Sequence, residues 1–161
     1  SSNIVPLGST KAVGKTITPK SYTPAETTRS LEASLRLHLK LEPVWHGENI
    51  SGYEVQGEVT DDMVAAVEEL VRPCTPSTMT HALAALEAKT KRQKTGLDDT
   101  KLMIAAYMEE LAPYPADVVR HVLMLSARNS VFFPAWAELY EDLEFWGRRR
   151  MLLADAILGE Y

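Results

Sequence analysis

Side chains able to do chemistry are few in this chain of 161 residues, and none stands at the spacing a reaction centre needs. The four histidines, His38, His46, His81 and His121, are too far apart to form the i, i+3 or i, i+4 ligand pair of a helical zinc site. Cys74 is the one cysteine, so neither an internal disulfide nor a cysteine-based zinc cluster can form. It precedes Thr75 and Pro76 at a predicted helix start, where partial positive charge lowers a thiol pKa. With no histidine beside it in sequence, it reads as a structural residue. Gly14, Lys15 and Thr16 copy the end of a phosphate-binding loop without the preceding strand or the full pattern. Glu109 with Glu110, and Glu141 with Asp142 and Glu144, are carboxylates on predicted helices, where adjacent residues point to different faces and make a poor acid–base pair. These residues predict a chain that is not an enzyme, holds no metal or cofactor and takes no small-molecule substrate.

Charge is the next source of chemistry. Seventeen basic residues against 22 acidic leave a net charge of −5, which argues against coating nucleic acid through bulk charge. The excess is local: residues 97–147 hold 3 basic and 9 acidic side chains. Basic residues gather in two places, Lys89, Lys91, Arg92 and Lys94, and Arg148, Arg149 and Arg150. Such a pattern suits oriented binding to a partner. The plainer alternative is two solvated helix ends, where the dipole alone favours cations.

The elements that position these residues read as helices. Residues 1–23 hold Ser, Thr, Lys, Gly and Pro with scattered aliphatics, too little apolar surface to offset ordering, and predict a disordered tail. They show neither the basic start nor the apolar core of a secretory leader. A helical domain over 24–161 follows. Thr23, Pro24 and Glu26 form a helix start of the capping-box kind, with Leu31, Leu35 and Leu39 at i+4 and Pro43 as the stop. Glycines and alternating Tyr53, Val55 and Val59 make 43–59 an irregular loop or hairpin. Helices then begin at Thr60 or Asp61, at Thr75-Pro76, at Asp98 with Leu102, Ala105, Ala106, Met108 and Leu111 inward, at Pro115, and at Pro134. The last contains Gly147, a predicted bend. The expected fold class is all-α, an irregular bundle of five or six helices, and no apolar run approaches the length of a membrane span.

One segment is more specific. From Tyr107 it runs through an aromatic-bearing helix, the turn Pro113-Tyr114-Pro115, a helix with paired aliphatics, and then Ser130, Phe132, Phe133, Pro134, Ala137, Glu138 and Leu139. This resembles the helical domain of phage replicative-helicase loader and inhibitor proteins, whose final element reads Ser-Lys-Phe-x-Pro-x-Ile-Ala-Glu-Ile. The segments 114–118 and 149–153 also look like small prophage proteins of alphaproteobacterial type. The resemblance implies a cytoplasmic protein of a bacterial host cell that binds a replicative helicase by protein–protein recognition. The partner-binding residues expected are Phe132, Phe133, Trp136, Glu138 and Glu141, an aromatic group just ahead of and within a Pro-initiated helix and beside acids. A second reading is a DNA-binding regulator or origin factor that sets Lys89, Lys91, Arg92, Lys94, Arg148, Arg149 and Arg150 on phosphates. A third is a virion or assembly protein whose tail orders on assembly.

Overall fold

Thr23 opens the first element as predicted: its side chain accepts a hydrogen bond from the Glu26 N–H while Glu26 Oε1 accepts one from the Thr23 N–H, at 3.2 and 2.8 Å. The computed structural model describes residues 23–91 and 100–159. Their elements are α1 (Pro24–Arg36), β1 (Lys40–His46), β2 (Asn49–Gln56), α2 (Asp61–Leu70), α3 (Pro76–Lys89), α4 (Thr100–Leu111), α5 (Ala116–Asn129) and α6 (Trp136–Gly159). The expected disordered tail, apart from Thr23, lies outside the described residues, as do Arg92, Lys94 and the helix start at Asp98.

The chain is mostly helical, but the all-α expectation is corrected by the two-stranded antiparallel sheet β1–β2. Helix α1 stops at Arg36 rather than at Pro43, and Pro43 lies within β1 opposite Tyr53. A proline fits there because both strands of a two-stranded sheet are edges, and its missing N–H need not leave a ladder bond unmade. The hairpin is tight because Gly47, at the first of two loop positions, takes φ +67°, as the primed hairpin turns require. Leu41 and Pro43 on β1 stand opposite Val55 and Tyr53 on β2, so one face is apolar; the register slips between Val44 and Trp45. Gly57 closes the hairpin at φ +118°, with Leu39 Cδ2 only 2.9 Å from where a Cβ would be.

The described residues fall into two compact units, one formed by those up to Val71 together with those from Arg149 onward, the other by Arg72–Arg148. The division falls inside α6. In the first unit Leu31 and Leu35 of α1, Leu39, Leu41, Tyr53, Val67 of α2, and Leu153, Ala154 and Ile157 of α6 make one buried cluster. Their burial removes the surface that makes each amphipathic element unstable alone.

In the second unit the buried stripes are Met79, Leu83 and Leu86 on α3, Val118, Val119, Val122 and Leu123 on α5, and Leu139 and Leu143 on α6. The corner before α5 is built on Tyr114, which is buried and donates its hydroxyl hydrogen to Glu144 Oε2 at 2.9 Å. There the Ala116 N–H also donates to the Arg72 carbonyl at 2.9 Å. Two expectations change. Helix α4 buries Leu111 and half-buries Met108 as expected, but Leu102 is 72% exposed and Ala105 and Ala106 face solvent; Met103, Ile104 and Tyr107 complete the half-buried stripe instead. Gly147 lies within an uninterrupted α6, where a Cβ would come 3.2 Å from Val118 Cγ1: it allows close helix approach rather than a bend.

Candidate partner-binding surface

The residues expected to bind a partner are held in the second unit by two hydrogen-bonded devices, one of backbone and one of a side chain. A short parallel bridge joins the chain after α3 to the chain before α6: the Lys91 N–H donates to the Val131 carbonyl at 2.8 Å, and the Phe133 N–H donates to the Lys91 carbonyl at 2.9 Å. Phe132, between the two bonded residues, is turned outward and remains 49% exposed. The second device is Tyr107 of α4, whose hydroxyl donates to the Pro134 carbonyl at 2.9 Å. This bond holds the segment entering α6 against α4.

Tyr107 is also the centre of an aromatic series. Its ring lies 5.5 Å from Phe133 and 5.6 Å, edge-on, from Trp136; Trp136 lies 6.5 Å from Tyr140. Tilted and edge-on contacts of this kind stabilise beyond area burial and fix ring orientation. Phe133 and Trp136 are half-buried within the series, while Tyr140 and Phe132 are exposed. Burial, and then the Glu138 charge, push the Tyr107 phenol above its ordinary pKa, so it stays a neutral donor.

Glu138 has a structural task as well. Its Oε1 accepts a hydrogen bond from the Ala135 N–H at 3.2 Å, satisfying an amide at the α6 start where Ala135 offers no side-chain oxygen. Glu141 and Asp142 are exposed one turn on. Burial, then the charges of Glu141 and Glu138, raise the Asp142 carboxyl above its ordinary pKa. At i, i+3 and i+4 the three acids share one face of α6.

The rival basic residues fare differently. Arg150 is completely buried in the first unit, and this corrects its assignment to phosphate binding. Its Nε donates to Thr28 Oγ1 at 3.0 Å, one terminal nitrogen to the Leu70 carbonyl at 2.8 Å and the other to the Pro24 carbonyl at 3.1 Å. A guanidinium so enclosed cannot reach a phosphate. Arg149 donates to the Tyr53 hydroxyl at 2.8 Å and lies 3.4 Å from Glu32; Arg148 lies 3.6 Å from Glu144. Lys89 and Lys91 are exposed. Burial pushes the Cys74 thiol above its ordinary pKa, partly opposed by Arg120, which disfavours a thiolate nucleophile.

Sequence reasoning missed Tyr107 as the organiser, Tyr140 as the fourth ring, and the pairing that sets Lys91 beside Phe132. The i, i+4 spacing of Trp136 and Tyr140 was a usable signal; the Lys91 bridge, between residues 41 positions apart, had none. Neither protein-family models, nor curated proteins, nor solved structures give a match to this chain. Among the described residues no helix is long and apolar enough to cross a membrane.

Proposed function

We propose that the chain is a phage-type DNA-replication accessory protein that binds a hexameric replicative helicase and loads or restrains it. The observation that carries this reading is Phe132. It is an exposed aromatic ring held in place by the Lys91 bridge, flanked by the packed series Phe133, Tyr107, Trp136 and Tyr140, and close in sequence to the acids Glu138, Glu141 and Asp142. These residues lie in the segment that carries the resemblance to helicase loaders. A pre-ordered aromatic loses little entropy on docking, which is the property of an interface anchor. The acids steer encounter with a basic partner surface. The work is recognition: the bound protein biases whether the helicase ring engages or is held back.

Interferometry with an immobilised replicative helicase tests this. Micromolar or tighter binding is expected, with Phe132→Ala raising the dissociation rate about 30-fold, equivalent to about 2 kcal/mol for a central anchor. Glu141→Lys with Asp142→Lys slows association instead. Absence of helicase binding at micromolar concentration removes the proposal. The DNA-binding reading is tested on a short duplex: steeply salt-dependent binding, lost in Lys89→Glu with Lys91→Glu, puts it first.

A further inference from the structure

A second surface of the Arg72–Arg148 unit lies between α3 and α5. Ala82, Ala85, Leu86 and Lys89 of α3 face Arg120, Leu123, Met124, Ala127 and Arg128 of α5 across an open groove of ≈ 350 Å³. The spacing on α3 is i, i+3, i+4, i+7 and on α5 is i, i+3, i+4, i+7, i+8, so each wall is one helical stripe. Three alanines give the groove depth, because packed helices with larger side chains at those positions would fill it. Leu86 and Leu123 form a buried floor, and Met124, 40% exposed, is a flexible side chain suited to re-packing against a ligand.

The chemistry of the walls is one-sided. Among the described residues, the charged side chains lining the groove are Lys89, Arg120 and Arg128, with no carboxylate. This contrasts with the surrounding stretch 97–147, which carries 9 acids and 3 bases, two of them Arg120 and Arg128. An apolar trough with a cationic rim fits an apolar stripe flanked by anions. The walls span Ala82–Lys89 and Arg120–Arg128, about 10–12 Å at the helical rise, or two turns of a docked helix.

We propose that this groove receives an acidic amphipathic helix of a partner protein, its aliphatic stripe on Leu86, Leu123 and Met124 and its carboxylates on Lys89, Arg120 and Arg128. The groove shares no lining residue with the Phe132 aromatic series, and the proposal stands whether or not the partner of that series is a helicase.

Fluorescence anisotropy with the full chain tests it. The probe is a labelled peptide of about 15 residues, with leucine at i, i+3, i+4 and i+7 and glutamate between. Its controls are the same peptide with lysine for glutamate and a scramble of equal composition. Saturable binding is expected, at least tenfold weaker for both controls. Ala85→Trp, at an exposed position and so compatible with folding, fills the groove and abolishes binding. Lys89→Glu with Arg128→Glu weakens binding at least tenfold; Arg120 is left intact because it also acts on the Cys74 thiol. The proposal is overturned by equal binding of the lysine peptide or the scramble, by full binding to Ala85→Trp, or by no binding near millimolar concentration. Self-association in sedimentation equilibrium that Ala85→Trp removes also overturns it, since a second copy then occupies the groove.

Discussion

Arg150 shows how a single side chain changes meaning between sequence and structure. In sequence it is the third of three consecutive arginines. In space it anchors the Leu70 carbonyl at the end of α2 and the Pro24 carbonyl and Thr28 hydroxyl of α1. A cation at a helix C-terminus is favoured by the dipole, and a fork of donors suits three acceptors. Arg150→Met should therefore destabilise by about 3 kcal/mol in urea unfolding, because the Leu70 carbonyl and the Thr28 hydroxyl lose a donor, while the Pro24 carbonyl keeps the Thr28 hydroxyl at 2.9 Å. Arg150→Lys recovers little, having one nitrogen for three sites. The helical period already carried this: Leu139, Leu143, Trp146, Arg150, Leu153 and Ile157 form one stripe, and an arginine on a core stripe faces inward. His121 is the second residue-scale case. Its Nε2 is buried with no hydrogen-bond partner among the described residues, and its ring meets Trp146 edge-on at 4.4 Å. Burial lowers its pKa below 6.5, with Asp117 opposing. Because the folded pKa is the lower one, stability is full above pH 6.5 and falls as pH drops from there through the folded value. Asp142, with its raised pKa, acts in the opposite sense in its own, more acidic window, losing stability as pH rises through its folded value. The check is urea midpoint against pH, where His121→Phe flattens the slope just below 6.5 relative to the wild type.

At the scale of elements, caps and prolines were the legible features. Thr23 accepts the predicted amide hydrogen bond, the choice between Thr60 and Asp61 falls to Thr60, and Thr75, read only as a helix opening, caps in the same way. Periodicity was weaker. Helix α4 offered two stripes one residue apart, and the alanine-rich one proved to be outside because Tyr107 is needed inside to hold Pro134. The hairpin was half legible, since its glycines announced the turn but Pro43 read as a stop rather than as an edge-strand residue. Close approach of helices was not legible at all: Gly147 reads as a bend in sequence and is a contact point in space. Gly147→Ala gains about 1 kcal/mol of helix propensity but presses on the buried Val118, and overpacking costs about 1–3 kcal/mol. The variant should melt lower than wild type, and in a Val118→Ala background the same substitution should raise the melting temperature. The Tyr114 corner gives a parallel test. Tyr114→Phe removes the bond to Glu144 and should cost about 1.5–3 kcal/mol, as for a hydrogen bond to a charged group, whereas Tyr114→Ala should cost more, about 3–5 kcal/mol.

Over the whole molecule, the property most readable from sequence was the partition of charge, and it bears on association more than on folding. Residues 97–147 carry 9 acids and 3 bases, a local net of −6 within a total of −5. The aromatic series could not be assembled from sequence, because Tyr107 and Phe133 meet only after α5 returns the chain. Charge and aromatics make separable predictions for the proposed helicase binding. Screening lengths fall from about 10 Å at 0.1 M salt to about 3 Å at 1 M, so the acids at Glu138, Glu141 and Asp142 act at a distance only in dilute salt. The association rate should drop several-fold across that range while the dissociation rate stays within about twofold, since it is set by apolar contacts already free of water. Glu141→Lys with Asp142→Lys should start slow and show a flat salt profile. Phe132→Ala should keep the wild-type salt slope and dissociate faster at every salt concentration. Stopped-flow mixing with the helicase measures both rates. A dissociation rate that climbs with salt in parallel with the fall in association would mean that ion pairs hold the complex together, and would move the anchor from Phe132 to the acidic patch.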